Sequence, residues 1–294
     1  MLNRVSAYIG GVTVLETIQR SAEFLTRKGV ESPRLNAELL LARVLSLPRM
    51  RLYLEFERPL AAAETDLMRE WVKRRGLREP LQHILGGSNF CGFEFRVDSR
   101  VLVPRPETEL LAEAAWQYLN SREGEPVVLD YGTGSGCLAV TLALKAPKCR
   151  VLAIDVSPDA LEVARGNAQV HKVDGRISFI LSDRLVAVTP GAKLDLIVGN
   201  PPYIATEEVS RLEPEVRLFD PLLALNGGID GLDHYRFLAA EAGGWLSESG
   251  KVMLEIGDGQ EIAVRELLEK QNWIVEAEIK DYNQRPRIIV ACQR

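Results

Sequence analysis

"EPVVLDYGTGSGCLAVTLALKA", residues 125–146, joins two apolar runs through a glycine-rich turn. The first run, "VVLDY", is short and continuous, as in a strand covered on both faces. The second, "CLAVTLALKA", is rich in leucine and alanine and suits a helix. Between them Gly132, Gly134 and Gly136 alternate with Thr133 and Ser135. Strand, tight turn and helix form the opening unit of a parallel α/β sheet.

The downstream sequence repeats that alternation. "CRVLAIDVS" (149–157) reads as a strand, and "SPDALEVARGNAQVHK" (157–172) as a helix with Ser157 as N-cap and Pro158 at its first position. "RISFILSD" and "KLDLIVGN" are strands, "GLDHYRFLAAEAGGWLSESG" (231–250) is mainly helix, and "GKVMLEIG" is a strand. After the helix "GQEIAVRELLEKQ", two strands, "WIVEAEIK" and "RIIVACQ", follow one another through "DYNQRP", which requires one antiparallel strand. The expectation is a seven-stranded, doubly wound α/β sheet over residues 106–294.

Upstream the periodicity changes. "TVLETIQRSAEFLTRKG" (13–29), "SPRLNAELLLARVLSL" (32–47) and "AAAETDLMREWVKRRG" (61–76) carry apolar residues at helical spacing, with Ser32 a candidate N-cap. Residues 1–80 are expected to form a helical bundle. "NFCGFEFRV" alternates at period two beside glycine, so 81–105 is expected to be a β-hairpin linker.

Hydrophobic residues make up 46% and charged residues 26%, an ordinary soluble balance. Residues 1–80 hold 14 Lys/Arg against 10 Asp/Glu, leaving a balance of −9 for the remainder of a chain whose total is −5. The basic bias is either a solvated surface or a docking face for an acidic or RNA-bearing partner. The four cysteines form no Cys-x-x-Cys pair, which argues against a zinc site or disulfide framework and fits a reducing cytoplasm. No apolar run is long enough to span a membrane, and "MLNRVSAYIGG" lacks the apolar block of an export signal. A monomeric cytoplasmic protein without a metal is expected.

In a doubly wound sheet, ligands sit at the carboxyl ends of the strands. The first strand here ends in Asp130 and the glycine loop, the second in Asp155 and the third in Asp183. The loop lacks both the G-x-G-x-x-G and the Walker spacing, and a glycine loop alone is also what any tight strand-to-helix turn needs. A carboxylate at Asp155 can accept from both free hydroxyls of an adenosine ribose. One at Asp183 can accept from the adenine amine.

The fourth strand ends in Asn200-Pro201-Pro202-Tyr203. A planar NH₂ group is a poor nucleophile because its lone pair is delocalised. Two acceptors on its two N–H bonds favour a form that aims the lone pair outward, and they strengthen as positive charge develops. The Asn200 side-chain oxygen and the Pro201 carbonyl are such a pair, the two prolines restrict the turn, and Tyr203 can stack on the planar group.

These segments, together with "PLQHILG", "NFCGFEF", "VLVPRPETELL", "EPEVRLFDPLLALNGGIDGLDHYR" and "VMLEIGDGQ", resemble the PrmC/HemK family from about residue 12 to the C-terminus. The resemblance implies a class I, Rossmann-like methyltransferase that uses S-adenosyl-L-methionine, releases S-adenosyl-L-homocysteine, and methylates the glutamine side-chain amide in the Gly-Gly-Gln motif of peptide chain release factors. It also implies that the helical domain docks the release factor. By matching positions it places the cofactor at Gly132, Thr133, Gly134, Ser135, Gly136, Asp155, Asp183, Arg184 and Asn200, and the glutamine at Asn200–Tyr203. Arg105 and Glu107 in "PRPET" fall near the cofactor pocket on the same grounds, although by charge alone they are equally a surface pair. "EPEV" (213–216) is either part of the glutamine channel or an exposed acidic loop.

Tyr131, Arg184, Gly199 and Gln284 depart from the residues usual in that family. His83, His171 and His234 have no carboxylate at suggestive spacing and read as structural or exposed. The same amine acceptors would suit an adenine-N6 methyltransferase of DNA or RNA, but an acidic catalytic half is a poor grip for a duplex and no direct DNA binding is expected. A glutamine methyltransferase for a ribosomal protein is a further alternative. A scaffold without catalysis would not need paired amine acceptors.

Overall fold

The computed structural model describes residues 11–189 and 193–294, so the segment read above for an export signal lies, Gly11 apart, outside the described residues. The chain divides into two compact units, Met1–Leu85 and Gly86–Arg294.

In the first unit, helix α1 (Val14–Arg27) starts at a capping box in which Thr13 and Glu16 satisfy each other's backbone N–H groups. Helices α2 (Pro33–Val44), α3 (Ala62–Gly76) and α4 (Leu81–Leu85) follow. Ile18 and Leu25 of α1, Leu40 and Leu41 of α2 and Met68 of α3 share one core cluster. Ser32 corrects the expected cap: it is left-handed (φ 48°) and its side chain caps nothing. Its carbonyl instead accepts from the Asn36 backbone and side chain.

The second unit opens with strands β1 (Ser88–Phe90) and β2 (Phe93–Phe95), a hairpin turning on Cys91 and Gly92, both at positive φ. Phe90 and Phe95 are 1% exposed and belong to the sheet core. Residues 81–105 are therefore divided: α4 lies in the first unit and the hairpin is built into the second. Two buried phenylalanines draw it there.

The elements α5 (Pro106–Ser121), β3 (Val127–Tyr131), α6 (Cys137–Lys145), β4 (Arg150–Asp155), α7 (Pro158–Val170), β5 (Ile177–Leu181) and β6 (Leu194–Gly199) come next. They are followed by α8 (Pro214–Phe219), α9 (Asp233–Glu241), β7 (Leu246–Glu255), α10 (Glu261–Lys270), β8 (Trp273–Lys280) and β9 (Pro286–Gln293). The sheet order is β5-β4-β3-β6-β7-β9-β8, with β9 antiparallel to both neighbours, as the sequence requires. Alternate strand residues supply separate cores. Val128, Leu196, Val198 and Met253 meet α5, α6 and α7, whereas Leu129, Ile197, Val252 and Leu254 meet α9 and α10.

β7 begins at Leu246, earlier than expected, because α9 gives way to a 3₁₀ turn, Ala242–Trp245, at Gly243 and Gly244. No helix among the described residues is long and apolar enough to cross a membrane.

Gln284 occupies a left-handed position (φ 64°) in the turn between β8 and β9, where its N–H bonds the Asp281 carbonyl. This explains why glycine suits that site. Gln284→Gly is expected to raise stability by roughly 0.5–1 kcal/mol, read as a higher urea midpoint. An unchanged or lower midpoint would show that the turn carries no strain.

Candidate active site

β3 pairs with both β4 and β6, so the loops leaving these three strands emerge side by side. After β3, Gly132, Gly134 and Gly136 all take positive φ (72°, 53° and 78°), which an L side chain resists. The loop is braced from behind. Asp130 is fully buried and accepts from the Thr133 hydroxyl at 2.6 Å and the Ala139 N–H at 3.1 Å through the same oxygen. Burial pushes its carboxyl up to about 7. The Ser135 carbonyl accepts from the Asn167 side chain at 2.8 Å, and the same side chain holds both backbone groups of Arg96.

At the end of β4, the two oxygens of Asp155 accept from the Gly134 and Ser157 backbone N–H groups, each at 2.9 Å. Burial raises this carboxyl against the lowering effect of those bonds. A carboxylate oxygen has two acceptor sites, so each keeps capacity for a ligand. Beyond β5, Arg184 is left-handed (φ 55°) and lays its guanidinium over Phe237, 4.8 Å from the ring centre.

One cleft runs along this edge. Of the residues expected to form the site, Tyr131's neighbours Gly132 and Gly134, then Asp155, Asp183, Arg184, Asn200 and Pro202 line it. Thr133, Ser135 and Gly136 do not line it, nor do Pro201 and Tyr203: Thr133 bonds Asp130, Ser135 bonds Asn167 of α7, and Tyr203 packs partly against the sheet core. Arg105 and Glu107 are also absent from the lining. Arg105 does not pair with Glu107 but bonds Asp220, whose side chain is 1% exposed, at 2.9 Å. It thereby ties the head of α5 to the segment after α8. "EPEV" forms the N-cap and first turn of α8, and the excursion it belongs to reaches the cleft through Pro221, Leu223 and Ala224 instead.

The turn after β6 is the most constrained part. The Tyr203 carbonyl accepts from Gln260 Nε2 at 2.9 Å, while Gln260 Oε1 accepts from the Gly257 N–H. Ile204 exchanges backbone bonds with Leu225 and Gly227. A Cβ on Gly231 would stand 2.3 Å from the Tyr203 oxygen, and one on Gly227 2.6 Å from the Pro202 oxygen. Asn200 Nδ2 donates to Thr108 Oγ1 at 3.1 Å, and Thr108 in turn donates to Glu255 Oε2 at 2.7 Å. Thr108 is 4% and Glu255 1% exposed.

Sequence reasoning did not single out Thr108, Glu255 or Gln260, although each lies inside a segment quoted for its resemblance. It read His234 as structural or exposed; His234 lines the cleft and its Nδ1 lies 2.9 Å from the Tyr131 hydroxyl. The departure at Tyr131 thus has a partner on α9, contributed by a residue about a hundred positions away.

Two family models match the chain: the PrmC N-terminal domain over residues 16–86 and the methyltransferase small domain over residues 108–215. A release factor glutamine methyltransferase from Chlorobaculum tepidum is 42% identical over 282 residues, 94% of this chain and 95% of the relative. The chain belongs to the release factor glutamine methyltransferases. Another member, from Geobacter sulfurreducens, is 42% identical over 84% of this chain and 85% of its own length. Among solved structures, the catalytic domain of hMettl16 in complex with MAT2A 3′UTR hairpin 6 aligns with a TM-score of 0.56 at 15% identity. It covers 76% of this chain and 82% of that one, a likeness of fold. The matches bear out the family resemblance and the class I methyltransferase fold.

Gly231→Ala tests how tightly the Asn-Pro-Pro-Tyr turn is held. The added methyl meets backbone, and the site has φ +77°. A loss of roughly 2–4 kcal/mol in unfolding free energy is expected from overpacking plus left-handed strain. A urea midpoint equal to that of the parent would mean that the turn is free to move aside.

Proposed function

We propose that this chain transfers the methyl group of S-adenosyl-L-methionine to the side-chain amide nitrogen of the glutamine in the Gly-Gly-Gln motif of a peptide chain release factor. The carrying observation is the Asn200 side chain, which lines the cleft and is held by its NH₂ end in a turn locked by Gln260 and Gly231. The relatives at 42% identity bear the release-factor name, which favours this reading over an adenine substrate.

The cleft fits an adenosyl group. Gly132 leaves open space where a side chain would begin, and Ile154, Val156 and Leu223 offer apolar walls. Asp155 would accept from the ribose hydroxyls, Asp183 and Arg184 would flank the adenine, and the backbone of Gly132–Gly136 with Asn200 would border the methionine portion. When bound, the cofactor supplies a methyl on a cationic sulfur, which departs as a neutral thioether.

Everything else falls to the protein. Asn200 Oδ1 and the Pro201 carbonyl accept the two N–H bonds of the glutamine amide and turn its nitrogen lone pair toward the methyl. Positive charge on that nitrogen strengthens both bonds as the transfer proceeds. The methylated nitrogen is then strongly acidic, so its proton leaves to water without a dedicated base. Tyr203 stacks on the carboxamide plane. Arg105 shapes the substrate side by holding the excursion after the turn through Asp220, and Glu107 would border the same side. The helical unit, residues 1–80 in outline, docks the release factor. We further place the protein in the cytoplasm as a monomer, in keeping with four free cysteines.

Purified protein with labelled methyl donor should mark a release factor, with mass spectrometry locating one methyl on the Gly-Gly-Gln glutamine. Asn200→Ala should lower the methylation rate roughly 10²–10³-fold with cofactor affinity nearly retained. Asp155→Asn should instead weaken cofactor binding about tenfold, the loss of one charge-assisted hydrogen bond. Label appearing on nucleic acid and not on protein would overturn the reading.

A further inference from the structure

We propose that Glu255 and Thr108 are positioning residues that decide which end of the Asn200 side-chain amide faces the substrate nitrogen. This rests on the reading of Asn200 as an amide acceptor.

The two ends of an asparagine amide have nearly the same shape and opposite chemistry. With its oxygen outward, Asn200 accepts from the glutamine NH₂. With its nitrogen outward, it opposes donor to donor and cannot work. A hydroxyl beside it does not settle the choice, because Thr108 can donate or accept. Glu255 settles it. An ionised carboxylate only accepts, so the Thr108 hydrogen must point at Glu255 Oε2, 2.7 Å away. The Thr108 oxygen then has only lone pairs for Asn200, 3.1 Å away, and Asn200 must present its NH₂ inward. Oδ1 is left facing the site. The direction runs carboxylate, hydroxyl, amide, and the first two links are side chains that the turn itself does not contain.

The same logic makes the relay reversible. A protonated Glu255 can donate to Thr108, which frees the Thr108 hydrogen for Asn200 and favours the amide with its oxygen inward. Glu255 sits where that change falls near neutral pH. Burial pushes its carboxyl up to about 7, against the Thr108 bond and Arg287, with Glu107 raising it and Arg105 lowering it further. Tyr203 and Tyr235 also face it, and both phenols are raised out of the titrating range by burial. Arg105 and Glu107 come from the head of α5, Tyr203 from the turn, Tyr235 from α9 and Arg287 from β9, and Glu255 is the one of these groups that bonds Thr108. The carboxylate is the working form, and the rate constant should rise with pH through the neutral range.

Four variants, one of them for signal assignment, and two readouts test this. In the parent, kcat should climb with pH along an acid limb. Thr108→Val should lower kcat ten- to hundredfold with KM for the methyl donor within twofold of the parent, and Thr108→Ser, which keeps the hydroxyl, should recover most of it. Glu255→Gln should lose the acid limb. Independently of activity, the Asn200 side-chain NH₂ signals in ¹⁵N NMR of the protein alone, assigned by their loss in Asn200→Ala, should titrate in the parent and become pH-independent in Glu255→Gln. Parent-like kcat in a folded Thr108→Val, or Asn200 signals that titrate unchanged in Glu255→Gln, would overturn the relay. A parent that methylates no glutamine while those signals behave as expected would instead overturn the substrate reading alone.

Discussion

Register between β3 and β6 is the constraint on which the site depends. Tyr131 stands opposite Gly199 in that parallel pair, so Gly132 and Asn200 leave the sheet at the same level. A slip of one residue would send every core side chain of β6 to the wrong face. Leu194, Leu196, Ile197 and Val198 are all fully buried, and burying one such side chain is worth about 1.5–3 kcal/mol. The strand therefore has a single workable position, and the glycine loop and the Asn-Pro-Pro-Tyr turn are set beside each other by core packing.

Rigidity at the turn comes from surroundings more than from its own prolines. The prolines restrict φ, but the loop's position is set where its carbonyls lie against Gly227 and Gly231 and where Gln260 bonds Tyr203. Those residues come from the excursion after α8 and from the link between β7 and α10. The arrangement suits a reaction whose only protein chemistry is accurate hydrogen bonding, since acceptors set in advance need no reorganisation as charge develops.

Much was legible before any coordinates. Seven strands, the lone antiparallel partner at the end, the glycine loop, Asp155 and the Asn-Pro-Pro-Tyr turn all rest on local signals: period, turn residues and a polar group at a strand end. The misreadings share a cause. Ser32 has the composition of a cap but the backbone of a left-handed turn. Arg105 found Asp220, not its near neighbour Glu107. At His234 the sequence offered no carboxylate partner, and the partner found in the fold is the Tyr131 hydroxyl.

The amino-acid sequence by itself determined the class of fold, the strand ends at which the glycine loop and the acidic residues gather, and the Asn-Pro-Pro-Tyr turn, because periodicity and turn chemistry act over a few residues. Tertiary structure alone decided which residues hold that turn and how the Asn200 amide is oriented. Thr108 and Glu255 are separated by 147 positions and meet in a 2.7 Å hydrogen bond. A contact of that kind exists only after α5 has packed on the sheet, since hydroxyl and carboxylate become partners through burial and not through spacing.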